Sequence, residues 1–280
     1  PPTQSPKFGP VAMATEQSAG NDAASISVFT RLADVLVLTK ARVNVFVVAT
    51  SFVGFALHGE VFPNWLLLLH TLAGTGLVAA AAAVANQVLE QQYDRLMTRT
   101  RNRPLASGRL TRKFAVGLSL ALFGAGVVWL GAFVNQSALL IAVATCLIYV
   151  FLYTPLKRVS PACVLVGAVA GALPVLIGWA ATGVTFGLWT FVAFGALFLW
   201  QIPHFLAIAW WRRNEYRDAG FRVLALKDCR GNRAAGWALV VTVALFGISF
   251  VPVLGHQVHA GYWPGALALG MGFSVFAMRF

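Results

Sequence analysis

Asn86, Glu90 and Asp94 recur at four-residue intervals in the stretch NQVLEQQYDRLMTRTRNRP, directly after the apolar run LVAAAAAVA. In a helix that spacing puts all three within about 80° of one another, on one stripe. An amide oxygen and two carboxylates are hard ligands of the kind Mg2+ accepts, usually together with phosphate oxygens and water. Arg95, Arg99, Arg101 and Arg103 come within a turn or two, and guanidinium groups offer forked donors for phosphate. Oxygen ligands beside arginines, at the end of an apolar helix, point to a Mg2+-bound diphosphate with a lipid-like tail. The chain contains no GxxxxGKS string, so a P-loop does not hold the phosphates. The plain alternative is that Glu90 and Asp94 pair with Arg95 and Arg99 at a solvated helix end.

A second stretch weighs against that alternative. LWQIPHFLAIAWWRRNEYRDAG again ends an apolar run with carboxylates, Glu215 and Asp218, beside arginines. Two acidic helix ends on one side of a membrane would hold two ions across one diphosphate. Metals and arginines there would stabilise the pyrophosphate leaving an allylic carbon. Between the two stretches lies YTPLKR. Tyr153 sits one turn before Lys157 and offers a π face to a carbocation, although an aromatic belt at headgroup level explains a tyrosine there equally well.

The elements that must position these groups are membrane spans. Of the 280 residues 59% are hydrophobic and 11% charged, against about 25% charged in soluble domains. Eight apolar helices are expected at 43–58, 65–89, 114–134, 138–153, 162–182, 187–211, 235–254 and 262–279. The expected fold class is all-α, a polytopic transmembrane helical bundle. All 21 Lys and Arg residues fall before the first helix, in the loops after the second, fourth and sixth, or at the very end of the eighth. The positive-inside bias then places the N-terminus and those loops in the cytoplasm. The opposite loops, HGEVFPN, NQS, TGVTF and GHQVHAGY, are short and nearly uncharged. The net charge of +12 is accordingly assigned to the lipid bilayer's headgroups and not to nucleic acid. Residues 1–30 are Pro/Gly/Ser-rich and aperiodic, so they read as a disordered tail without signal-peptide character. Residues 31–280 form the transmembrane domain. Cys146, Cys163 and Cys229 form no CxxC pair, so neither a disulfide framework nor a zinc site is indicated.

Together, N-x3-E-x3-D followed by MTRTRNRPL, then YTPLKR, then WQIPHF with EYRDAG, resemble the UbiA prenyltransferase superfamily, and within it the haem O synthase family. The resemblance runs from Leu38 in LTKARV to the start of the eighth helix. The first acidic motif is shared across the superfamily; the MxRTxxRPL and WQxPHF strings are specific to the haem O synthases. It implies a prenyltransferase that moves farnesyl from farnesyl diphosphate to a vinyl group of haem B, with Mg2+ as cofactor, in the bacterial inner membrane. It implies Asn86, Glu90 and Asp94 as metal and catalytic residues, with Tyr153 beside them. Glu215 takes a position that is usually Asp, and Asp218 lies in a variable part of that string. Arg99, Arg103, Lys157 and Arg158 fall to the diphosphate, the last two alternatively to haem propionates or to ordinary loop charge. His204, after the helix-kinking Pro203, falls to haem, as iron ligand or propionate partner. Arg222 and Ala225 replace usual prolines, which puts a lid role for 215–225 in doubt. The family usually has nine helices, so a ninth is absent here or cut off. A downstream haem-modifying enzyme or oxidase assembly factors are the candidate protein partners.

Three other functions compete. A prenyltransferase acting on an aromatic quinone precursor shares the first motif but should lack WQxPHF. A transporter needs ionisable residues at mid-membrane, whereas the acids here cluster at helix ends. A non-catalytic haem chaperone has no need of Asn86, Glu90 and Asp94 together. The alanine run before Asn86 serves either close helix approach or room for a bulky substrate. His70 reads as structural, and His256 and His259 lie far from the expected chemistry.

Overall fold

The computed structural model describes residues 29–57, 64–222, 224–228 and 231–254, with a few isolated positions beyond. The described residues are helical with no strand. A short helix α1 (29–38) leads into α2 (Ala41–Ala56). Next come α3 (Trp65–Asp94), α4 (Arg112–Phe133), α5 (Gln136–Leu156), α6 (Cys163–Ala181) and α7 (Leu188–Trp211). Two small helices, α8 (Arg213–Asp218) and α9 (Leu224–Lys227), precede α10 (Asn232–Ser249). Six of these, α3 to α7 and α10, are long and apolar enough to cross a bilayer, and α2 is a shorter apolar helix.

Local chemistry sets several of the starts. Asn64, Thr111 and Asn135 stand at extended N-cap positions of α3, α4 and α5, and their side-chain oxygens accept from the N–H groups of Leu67, Phe114 and Ala138. Each satisfies a donor that a helix start otherwise leaves unpaired. The outward-facing residues obey membrane rules: Leu120 and Val128 are exposed, as an apolar solvent permits. The buried layer is built on α6, which packs against α2, α5 and α7. Small residues allow the close approach of α2 and α6. A Cβ on Gly54 would run into the Val175 carbonyl, and one on Gly178 into the Ser51 carbonyl.

Departures from the sequence reading concentrate at the charged end of the bundle. The second expected helix continues five residues past 89, so the whole motif is helical. The fourth continues to Leu156 through a π-helical turn at Ile148–Tyr153. The helix α1 is not expected from the sequence, and its first two residues belong to the stretch that reads as a tail. The loop after the sixth expected helix contains α8 and α9. The eighth expected helix (262–279), apart from a few isolated positions, the histidines 256 and 259, and the tail up to residue 28 lie outside the described residues.

Candidate active site

The stripe on α3 is real and buried. Asn86, Glu90 and Asp94 are 0%, 5% and 1% exposed. Leaving a carboxylate unpaired at such a depth costs several kcal/mol, and each of the three side chains has a cationic partner. Lys40 Nζ donates to Asn86 Oδ1 at 2.6 Å. Lys157 Nζ donates to Glu90 Oε1 at 2.8 Å. Arg103 Nη1 donates to both oxygens of Asp94, at 2.9 and 2.8 Å. The amide of Asn86 in turn donates to Thr154 Oγ1 at 3.1 Å. The alternative pairing of Glu90 and Asp94 with Arg95 and Arg99 does not occur.

Three segments deliver those cations. The first is residues 95–111, which fold back on the end of α3. Arg95 Nε donates to the Ala106 carbonyl, Thr100 Oγ1 to the Asp94 carbonyl, and Gln91 Nε2 to the Leu105 carbonyl. Leu105 and Met97 are buried beneath them. Arg109 completes the fold-back by donating to Asp34 of α1 at 2.8 and 3.0 Å. The second is the α5 terminus. In its π turn the backbone bonds reach five residues on, and the Thr154 hydroxyl satisfies the Tyr149 carbonyl at 2.8 Å. Tyr149 and Tyr153 stack at 5.4 Å, and Lys157 Nζ sits 4.5 Å from the Tyr153 ring centre. Gly167 leaves the space for Tyr153, since a Cβ there would lie 2.6 Å from Cε2 of its ring. Burial works against the charge of Lys157, but the Tyr153 hydroxyl and the Glu90 carboxylate hold its pKa well above the ordinary lysine value. The third is the junction of α1 and α2, where Lys40 adopts φ 50°, ψ 47°. It is the one non-glycine residue with positive φ among the described residues. The strain is of order 1–2 kcal/mol, and the conformation aims the ammonium at Asn86 and at the Tyr149 hydroxyl, 3.3 Å away.

Behind this polar layer lies a cavity of about 590 Å³ with a mostly apolar lining. Lys40, Tyr149 and Tyr153 stand at its polar end, and Thr75, Ala142 and Ile177 lie among the helices beneath. Ala79, Ala82 and Ala83 line it as well, while Ala81 is buried and its carbonyl accepts from Ser119 of α4. The alanine run therefore provides both room and close helix approach. His204 also lines the cavity and stacks on Trp200, with centroids 5.4 Å apart at 11°. His70 instead stacks on Phe133, away from this lining.

The remaining expected site residues take different places. Arg158 donates to the Tyr93 hydroxyl at 3.0 Å and lies over its ring. Arg99 is exposed, with no ion pair among the described residues. Glu215 pairs with Arg212 at 2.9 Å, and Asp218 is exposed at the end of α8. No group of three or more His, Cys, Asp or Glu side chains able to hold an ion forms among the described residues. The structure thus does not gather Glu215 and Asp218 into one acidic cluster with Glu90 and Asp94. The segment after α8 does cover the site: Phe221 packs on Tyr93 at 5.7 Å, and the Arg222 N–H donates to the Lys157 carbonyl at 2.9 Å. Sequence reasoning misses Lys40, Tyr149, Thr154 and Tyr93. Lys40 reads there only as topology charge, and Thr154 is an unremarkable residue inside YTPLKR.

The donor set fits Mg2+. One amide and two carboxylate oxygens share a stripe of α3, Lys40 joins Asn86 to the lining of the apolar cavity, and ammonium and guanidinium groups within hydrogen-bond distance of the three are suited to the phosphate oxygens that complete such a shell.

The model of the UbiA prenyltransferase family matches residues 47–280. A protoheme IX farnesyltransferase from Cytophaga hutchinsonii is 39% identical, over 78% of this chain and 76% of its own. One from Solibacter usitatus is 38% identical, over 88% and 87%. Among solved structures, a UbiA homolog from Archaeoglobus fulgidus bound to GPP and Mg2+ superposes with a TM-score of 0.73 at 16% identity, covering 87% of this chain and 86% of that one. A structure of digeranylgeranylglyceryl phosphate synthase gives a TM-score of 0.74 at 19% identity, over 89% and 86%. With its acidic stripe, its cationic rim and its apolar cavity within one helical bundle, this chain belongs to the UbiA prenyltransferase family of integral, multi-pass membrane proteins.

Proposed function

We propose that the chain transfers farnesyl from farnesyl diphosphate to a vinyl group of haem B, forming haem O. The observation that carries this reading is the one-sided site. A charged layer suited to a diphosphate adjoins, through Lys40 and Tyr153, an apolar cavity suited to a prenyl chain, with His204 on the cavity wall. The choice of haem over a quinone precursor is supported by the match to protoheme IX farnesyltransferases along most of both chains.

The roles rest on position. Asn86, Glu90 and Asp94 would hold Mg2+ bound with the diphosphate, which would supply Lewis-acid stabilisation of the departing pyrophosphate. Arg103 and Lys157 carry the remaining charge of that leaving group. Arg99 and Arg158 contribute from further out. When the C1–O bond breaks, the electron pair leaves with the pyrophosphate. The stacked rings of Tyr149 and Tyr153 offer π faces to the allylic cation. The apolar lining keeps water from quenching it. The vinyl π electrons then form the new carbon–carbon bond, and water adds to the ring-side carbon with loss of a proton, giving the hydroxyethylfarnesyl group. His204, beside Trp200, contacts haem. Glu215 and Asp218 act on a second ion only if the segment after α7 rearranges around the diphosphate.

The positive-inside bias supports a cytoplasmic N-terminus and cytoplasmic active-site loops, in a bacterial inner membrane. Haem O, amphipathic with its added farnesyl tail, passes within the bilayer to a downstream haem-modifying enzyme or an oxidase assembly factor. Mass analysis of haem extracted from membranes that express the chain tests the reaction. Haem O is expected to accumulate. Haem B alone, with prenylated aromatic acids in its place, would overturn the assignment.

A further inference from the structure

Each of the three motif side chains has its own cation, from its own segment of chain. Lys40 comes from the α1–α2 junction, Arg103 from the fold-back after α3, and Lys157 from the end of α5. The pairing is one to one, with Nζ or Nη1 at 2.6 to 2.9 Å from the oxygen that a metal would take. Each segment is held by its own bonds. Asp34–Arg109 and the Gln87 amide fix the α1 side, through bonds from Gln87 to the carbonyls of Val37 and Leu38. Thr100 bonds to the Asp94 carbonyl in the fold-back, and the Lys157 carbonyl is tied to the N–H of Arg222. Two carboxylates therefore face three cations, and the cluster as it stands carries net positive charge.

We propose that Lys40, Lys157 and Arg103 are placeholder cations, which occupy the metal-binding oxygens until a metal–diphosphate complex exchanges with them. This rests on the metal–diphosphate reading above and assigns to Lys40 a role in that site. A bare divalent ion meets both like charge and occupied ligands. The same ion carried in by a diphosphate brings net negative charge. Its phosphate oxygens accept the three cations as they turn off Asn86, Glu90 and Asp94, and the freed oxygens turn to the metal. No buried charge is left unpaired at any stage, which in a membrane would cost several kcal/mol. Metal and diphosphate thus bind as one unit, each raising the affinity of the other by the same factor. Lys40 suits this exchange because its partner is a neutral amide. Asn86 keeps Thr154 when Lys40 leaves, so the ammonium moves without stranding a carboxylate.

The test is a Mn2+ titration of the full chain in detergent, read by the paramagnetic resonance of free Mn2+, with and without inorganic pyrophosphate. Lys157→Gln and Lys40→Gln are compared with the parent, and all three are checked for folding by thermal denaturation. In the parent, pyrophosphate should tighten Mn2+ binding on the order of tenfold or more. In each variant Mn2+ alone should bind more tightly, on the order of tenfold, because a like charge and a competitor are gone. Binding in the presence of pyrophosphate should weaken. Opposite signs in the two titrations distinguish a placeholder from a structural lysine, whose loss weakens both. Unchanged or weaker binding of Mn2+ alone in both variants overturns the proposal. Should Lys157→Gln not fold, Lys40→Gln decides alone. A parent that holds no Mn2+ even with pyrophosphate or farnesyl diphosphate overturns the metal–diphosphate reading itself.

Discussion

Glu90 and Lys157 form a buried ion pair of the site, with side chains 6% and 19% exposed and 2.8 Å between Nζ and Oε1. At that distance and an effective dielectric of about 20, the bare attraction is about 6 kcal/mol. Desolvation of both groups takes back a large part. The partial exposure of Lys157 adds screening, so a coupling of about 2–3 kcal/mol is expected. Glu90→Gln keeps an oxygen within reach of Nζ but leaves the ammonium uncompensated, and should lower stability by about 2–3 kcal/mol. Lys157→Met leaves the carboxylate buried and unpaired and should cost at least as much. The double variant removes both charges and should recover much of the loss, since apolar or neutral replacements of buried pairs are often near neutral. In thermal denaturation followed by size exclusion, each single variant should drop by roughly 5–10 °C, and the double by clearly less than their sum. Strictly additive losses, with coupling below about 0.5 kcal/mol, would refute the claim that this pair holds the charged layer together.

Asp94→Ala should abolish haem O formation, more than about a hundredfold, while leaving a folded protein, because Arg103 can turn to water; turnover comparable to the parent would remove Asp94 from the metal site. Gly167→Ala should push Tyr153 off Tyr149 and lower turnover on the order of tenfold with little change in farnesyl diphosphate affinity, which stopped-flow and binding assays would separate. His204→Ala should weaken haem binding, followed by its absorbance, and leave diphosphate binding unchanged; equal losses would mean that His204 only shapes the cavity. A reporter active only in the cytoplasm should give signal when fused after Lys113 or Arg233 and none when fused within GHQVHAG.

The stripe on α3 is legible in the sequence because four-residue spacing survives into any helix, and the spans are legible because the bilayer demands apolar length. The end of α3 is not. Glu90 and Asp94 break an apolar pattern, and only the later fold-back of Arg103 and the arrival of Lys157 allow the helix to continue through them. Those partners lie nine and 67 residues away in the chain, so no local rule reveals them. Lys40 escapes for the same reason, since its meaning depends on a left-handed backbone position and on a partner 46 residues distant. The second acidic stretch is less legible. EYRDAG looks like a metal ligand set by composition, yet Arg212, three residues before Glu215, satisfies that carboxylate locally.

Neighbouring amides at the end of α3 point to different tasks: Asn86 to the charged layer, Gln87 to the last carbonyls of α1. A slip of α3 by one residue would turn its stripe by about 100° and exchange them. At the other end the same helix starts on the Asn64 cap. Its 30 residues span about 45 Å, well beyond a hydrocarbon core of about 30 Å. In a thicker or thinner bilayer, α3 therefore has no freedom to slide along its own axis. It must answer hydrophobic mismatch by tilting as a rigid rod or by deforming the lipid around it. Turnover should then depend on acyl-chain length through the tilt of this one helix.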